Sequence, residues 1–191
     1  MAFLSQRFGA RRSSIQRTTS ERALRIDGPV VGFLNLDGSK HTLLSEADQR
    51  AIGLVFKEAR VSKTVPPRCH VLFIYWTAGA PAPTSPVALR ELIKAAGAYI
   101  AIFACENDSE AYIEHLGRRT DWGANIVMVL DRKGESFCLF LSQLFQKMFE
   151  GRSMLEAWTE LAPQRPSIKT HDVPDAILAA EAGHITFSRS T

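Results

Sequence analysis

The sequence predicts a three-layer α/β/α sandwich built on a mostly parallel sheet, and three observations carry that prediction. Strand-length runs of almost unbroken apolar residues, "CHVLFIYWT" (69–77), "AYIAIFAC" (98–105) and "ANIVMVLD" (124–131), read as strands buried on both faces. Stretches with apolar residues at helical spacing separate them. No Asn-Gly hairpin signal joins one run to the next, so crossover connections and parallel strands are expected.

Composition sets the class. The 191 residues are 46% hydrophobic and 23% charged, which fits one ordinary soluble domain with room for a core. No apolar run approaches the roughly 20 residues that span a bilayer, so no membrane partner is expected. The cysteines, Cys69, Cys105 and Cys138, are odd in number and lack metal-type spacing. That pattern predicts no disulfide framework, no metal or other cofactor, and a reducing, cytoplasmic setting.

Charge is unevenly placed. Residues 1–25 hold six arginines (Arg7, Arg11, Arg12, Arg17, Arg22, Arg25) and one acid, Glu21. Of the 23 basic and 20 acidic residues in the chain, this leaves 17 and 19 for residues 26–191. The expected organisation is a basic N-terminal arm over 1–25 and a single α/β domain over 26–191. An arm of this composition reads as a solvated tail or partner-docking segment, a transit peptide, or an anion-binding arm. Only Phe3 and Phe8 interleave with the arginines, and the body shows no basic stripe, so nucleic acid is not the expected partner. The basic residues before serines in "RRSS" (11–14) form a candidate phosphorylation site.

The elements follow in order. "PVVGFLNLDGS" (29–39) predicts a strand ended by the Asp37-Gly38 turn. "SEADQRAIGLVFKEARVSK" (45–63) predicts a helix with Ser45 as N-cap and Ala47, Ile52, Val55, Phe56 and Ala59 as its apolar stripe. "PPR" (66–68) breaks the chain before the strand at 69–77. "SPVALRELIKAAG" (85–97) predicts a helix with Ser85 as N-cap, Pro86 at its first position and Gly97 at its C-terminal end. "NDSEAYIEHLGRRT" (107–120) predicts a further helix. Residues 134–162 predict a helix ending near Gly151 and then a second one, with Cys138 packing as an ordinary core residue. "AILAAEAG" (176–183) reads as a short helix and "HITFS" (184–188) as an edge strand.

In open α/β sheets ligands bind at the carboxyl ends of the strands. Here those ends carry Asn35 and Asp37, Trp76 and Thr77, Cys105, Glu106 and Asn107, and Asp131. Asp37, Trp76, Thr77, Glu106, Asn107 and Asp131 are therefore the candidate binding residues, and Cys105 the candidate catalytic one. Two readings of Cys105 stand open: a nucleophile activated by the next helix N-terminus and a base, or a buried structural thiol. Of the five histidines, His70 starts its strand, His115 falls inside a predicted helix, and His41 follows the first turn. The placement of His171 and His184 is not readable from pattern.

The stretch 69–162 resembles the CHAT proteases and related caspase-like (clan CD) domains. "AIFACEND" is similar to their cysteine motif, "VALRELIKAAGAYI" to the helix leading into it, and "FCLFLSQLFQKMFEGRSMLEAWTELAP" to their late aromatic helix, Gly-x-Ser turn and Ala-containing helix. The resemblance implies that Cys105 occupies the nucleophile's position at the end of one parallel strand. It also implies a His-Gly pair at the end of the preceding strand. This chain has Trp76, Thr77, Ala78 and Gly79 there, and Thr77 is no general base at neutral pH. The implied function is a catalytically impaired caspase/CHAT-like domain acting as a protein-binding or scaffold module. Its protein partner would dock at the strand-end rim or along the arm. The alternatives are an active cysteine peptidase using Cys105 with another base, and a haloacid-dehalogenase-like small-ligand or phosphate-binding protein. "GFLNLDGS" is similar to the first motif of the latter family, with Asn35 at the nucleophile's position. That resemblance makes Asp37 the second acid, Thr77 the phosphate-binding hydroxyl, Lys94 the charge clamp and Asp131 a magnesium ligand.

Overall fold

Side chains that alternate along four consecutive strands divide the interior into two layers. The computed structural model describes residues 24–36, 42–62, 65–77, 86–105, 123–132, 136–161, 176–179 and 184–189. Within them β2 (Val30–Asn35), β4 (Val71–Tyr75), β5 (Ile100–Cys105) and β6 (Ile126–Asp131) lie side by side and parallel. Phe33, Phe73, Ile102 and Met128 point to one face, while Leu34, Ile74, Phe103 and Val129 point to the other. Successive strand residues face opposite sides, so near-continuous apolar runs are what a sheet covered twice requires.

Each face has its own cover. α2 (Pro86–Ala96) presents Leu89, Ile93 and Ala96, three and four residues apart, to the Leu34/Ile74 face. α1 (Thr42–Gly53), α3 (Ser136–Phe149) and α4 (Met154–Leu161) cover the Phe33/Phe73 face through Ile52, Phe137, Leu141, Leu144, Phe145, Met148, Met154 and Ala157. Phe73 sits at the centre, stacked on Phe33 at 5.0 Å and edge-on to Phe145 at 6.3 Å. Burying each such side chain contributes roughly 1.5–3 kcal/mol before entropy is counted.

Chain direction explains the sides. The sheet order is β3-β2-β4-β5-β6-β7, with β3 (Glu58–Ser62) at one edge and β7 (Ala176–Ala179) at the other. From β2 the chain moves outward to β3, and from β4 it moves the opposite way to β5. Crossovers of one hand in opposite directions place α1 and α2 on opposite faces. The direction changes between β2 and β4, which makes their carboxyl ends the topological switch point.

The three-layer α/β fold is thus present, with five parallel strands and one antiparallel edge, β7 against β6. Four elements differ from the expectation. The helix expected over 45–63 runs instead over Thr42–Gly53, and Glu58–Ser62 is the parallel strand β3. Ser45 therefore lies within the first turns rather than capping them, and Ala47 is exposed. The Gly53 to Phe56 turn, closed by hydrogen bonds from Val55 N to Ile52 O and Phe56 N to Gly53 O, ends the helix and swings Phe56 into the core. Residues 176–179 of the expected short helix form β7, where pairing with β6 overrides the helix propensity of alanine. Residues 185–188 are not an edge of the main sheet. They form β8 (Ile185–Ser188), paired in parallel with β1 (Leu24–Asp27) as a separate ribbon. Leu24 and Arg25, assigned to the arm by composition, belong to that ribbon, and Ile26 and Phe187 bury into the core.

The helices at 86–96 and 136–161 stand where periodicity put them. Gly97 (φ 68°) and Gly151 (φ 94°) end α2 and α3 in the left-handed region that glycine enters without strain. The helix expected over 107–120, Ser85, and arm residues 1–23 lie outside the described residues.

Candidate functional site

The carboxyl ends of β2, β4, β5 and β6 form one rim in that order. Neighbouring strands stand about 4.8 Å apart, so the rim from Asn35 to Asp131 spans roughly 15 Å. Asn35 pairs in register with Tyr75, Tyr75 with Ala104, and Cys105 with Asp131. Leu36 N continues the pattern by donating to Tyr75 O at 2.9 Å. Asn35 is buried, Trp76 fully buried and Thr77 half-buried. The structure thus brings the backbones of Trp76, Thr77, Cys105 and Asp131 to one end of the sheet, as the sequence predicts. Asp37, Glu106 and Asn107 lie outside the described residues.

His70 lies at the amino end of its strand, away from the rim. His70 immediately precedes β4, and five residues at about 3.3 Å each separate it from the rim by some 17 Å. Its imidazole is already committed. Nδ1 accepts the Val30 N–H at 2.9 Å, and the ring stacks on Tyr99 at 6.1 Å. Its backbone carbonyl accepts from Tyr99 N and Ile100 N, so His70 ties together the starts of β2, β4 and β5. Burial, and then the Arg60 charge, hold the imidazole below its usual pKa. His184 precedes β8, and His41, His115 and His171 lie outside the described residues. Lys94, three residues before Gly97 in the last turn of α2, is also at the amino end of the sheet. There the Gly123 turn packs against its side chain.

The sequence reading missed a polar cluster below the rim. Asp48 of α1 is fully buried on the α1/α3 side. The guanidinium of Arg132, the residue after β6, grips it with Nε to Oδ2 at 2.7 Å and Nη2 to Oδ1 at 2.8 Å. The Tyr75 hydroxyl donates to Oδ2 at 2.8 Å and the Cys138 thiol to Oδ1 at 3.0 Å. Cys138 packs against the core as expected, and its sulfur in addition serves a buried carboxylate. Four donors occupy the Asp48 oxygens, which leaves that carboxylate no role as a general base. Burial, and then the Asp48 charge, push the Tyr75 phenol well above its usual pKa, so it stays neutral. The cluster joins the ends of β4 and β6 to α1 and α3, and so sets the shape of the rim.

One signal for this cluster lay in the sequence. Ser45, Asp48 and Ile52 recur at i, i+3 and i+7, and this is the stripe that α1 buries. An aspartate on a buried stripe requires a partner, and Arg132 ends the strand that supplies one.

Cys69 is a different kind of thiol. It is buried at the amino end of the sheet against Gly32, and burial pushes it up to about 12 despite the Arg60 charge. Among the described residues no group of His, Cys, Asp and Glu has the makings of a metal site, and no helix is long and apolar enough to cross a membrane. No protein-family model matches the chain, and no curated protein matches it.

Proposed function

We propose that the chain is a catalytically impaired domain of the caspase/CHAT-like type, acting as a protein-binding or scaffold module. Its partner docks at the strand-end rim or along the arginine-rich arm. One observation carries the reading: β4 and β5 are hydrogen-bonded parallel neighbours, Cys105 ends β5, and Trp76 and Thr77 follow β4. The resemblance calls for a nucleophile and a base on two such adjacent ends. This chain supplies the thiol and places no histidine of β4 beside it. A thiol without a base or nearby cation keeps an ordinary pKa and reacts slowly at neutral pH. The haloacid-dehalogenase-like reading has less support, because Lys94 lies at the opposite end of the sheet from Asn35, Thr77 and Asp131.

The test is the alkylation rate of Cys105 against pH, with Cys105→Ala as the blank. The reading expects a titration at or above the ~8.5 of a free thiol. It also expects no cleavage of a peptide library that depends on Cys105. A titration several units lower, with Cys105-dependent cleavage, establishes the active cysteine peptidase instead.

A further inference from the structure

We propose that the cavity between the amino end of the main sheet and the β1–β8 ribbon binds a small amphipathic anion, an apolar body carrying one carboxylate. The cavity has a volume of about 340 Å³ and is lined by Gly28, Pro29, the Leu54–Lys57 turn, Phe149 and Arg189. That volume falls within the range of small-ligand sites, roughly 300–1,000 Å³. The proposal is independent of the rim, because Gly28 and Pro29 lead into β2 and so lie at the other end of the sheet.

The lining divides by chemistry. Its floor is aromatic: Phe56 meets Phe149 edge-on at 5.9 Å, and Phe187 backs both, at 6.0 Å and 5.3 Å. Leu54 stands on its lip with 87% of its surface exposed, an apolar side chain beside a concavity rather than packed under one. An apolar body entering here covers Leu54 and Phe149 and removes them from water.

The mouth is cationic. Lys57 and Arg189 both line the cavity, and the Arg189 guanidinium lies 5.7 Å from the centre of the Phe149 ring. Among the described residues neither cation has a carboxylate partner. The acids beside the lining segments are engaged elsewhere. Asp27 pairs with Arg25 and accepts from Ser188, while Glu58 pairs with Arg60. Glu150 follows Phe149 in the chain but is not part of the lining. Two cations above an aromatic floor select an anion with an apolar tail over a neutral or cationic molecule of the same shape.

The experiment titrates the full chain with octanoate, octanol and octylamine, followed by amide and side-chain NMR. Octanoate is expected to bind saturably and to move the signals of the Leu54–Lys57 turn, Phe149 and Arg189. Octanol and octylamine are expected to bind about tenfold or more weakly, since they lack the charge attraction. Lys57→Glu with Arg189→Glu, both at exposed positions, is expected to weaken octanoate about tenfold while leaving the thermal transition in place. Three results overturn the proposal: no saturable octanoate binding, equal binding of octanol, or octanoate binding unchanged in the double variant. Signals that move only elsewhere in the molecule overturn it as well.

Discussion

Arg132 holds Asp48 through two parallel hydrogen bonds, at 2.7 and 2.8 Å, with the carboxylate fully buried and the arginine side chain only 10% exposed. The two residues are 84 positions apart in the chain. Their pairing fastens the end of β6 to α1 and completes the wall beneath the rim.

Removing one partner of that pair strands the other charge inside. Arg132→Ala and Asp48→Ala are each expected to cost about 3–5 kcal/mol, the usual penalty for an orphaned buried ion. Urea unfolding of both variants checks this. A loss below about 1 kcal/mol, the value of an exposed pair, shows that water reaches the site freely.

The Tyr75 hydroxyl donates into the same carboxylate. Tyr75→Phe is expected to lose about 1.5–3 kcal/mol, the value of one hydrogen bond to a charged acceptor. An ultraviolet titration of the native protein should show one of its three tyrosines refusing to ionise until unfolding, since burial and the Asp48 charge both oppose the phenolate. In Tyr75→Phe that delayed component disappears.

His70 gives the fold an acid limit. Its pKa is lowered in the folded state, so the unfolded chain binds its proton first as pH falls. Its contribution to stability is complete above the unfolded value near 6.5 and is lost as pH drops through the lowered folded value. Protonation also removes the Nδ1 acceptor from the Val30 N–H. His70→Asn, which keeps an acceptor in nearly the same place, is expected to flatten the fall of stability below about pH 6.5. Denaturation midpoints against pH, with the imidazole signals followed by NMR, decide the matter. An unchanged slope in the variant assigns the acid sensitivity to other groups.

Gly32 admits no side chain. A Cβ built there meets the Cys69 sulfur at 2.6 Å and Pro67 Cγ at 2.8 Å. Gly32→Ala is expected to destabilise by about 1–3 kcal/mol through overpacking, and Cys69→Ala in the same molecule to recover part of that loss. Strict additivity of the two changes refutes the contact. With its pKa near 12, Cys69 should also resist alkylation in the folded protein at neutral pH.

Ser153 and Glu156 close a capping box. The Glu156 carboxylate accepts from Ser153 N at 2.8 Å and from its hydroxyl at 2.9 Å, while Ser153 Oγ accepts from Glu156 N at 3.3 Å. Ser153→Ala is expected to cost about 1 kcal/mol, visible as a lower melting temperature with no other change.

That box bears on how far the sequence could be read. The three central strands were legible because burial on both faces leaves an unmistakable apolar run in Val71–Tyr75, Ile100–Cys105 and Ile126–Asp131. β3 was not, because an edge strand faces water. Its residues read "EARVS", and Val55, Phe56 and Ala59 before and within it fall at helical spacing by coincidence. β7 was hidden for a related reason, since "AILA" gains its strand conformation from pairing with β6 rather than from its own preference. The β1–β8 pairing joins segments too distant for any local pattern to register. At the rim, strand-end logic names residues whose backbones the sheet gathers at one end, but it does not reach Asp48, because a helical stripe through Ala47 passes that position by. The Gly-x-Ser turn that shaped the caspase-like resemblance has a local explanation too: Gly151 ends α3 and Ser153 caps α4.

The β1–β8 ribbon sets the order in which the molecule can be completed. Asp27 and Ser188, joined by a hydrogen bond, are 161 residues apart. A ribosome adding about 5–20 residues per second needs on the order of ten seconds or more to supply the second strand after the first. Throughout that interval Ile26 has no strand to pair with, and the place of Phe187 against Phe149 and Phe56 stands open. Pairing β1 with β8 is therefore a long-range closure, the slowest kind of contact to form. A nascent chain that stalls before residue 185 exposes the same aromatic surface that the finished protein keeps beneath its ribbon.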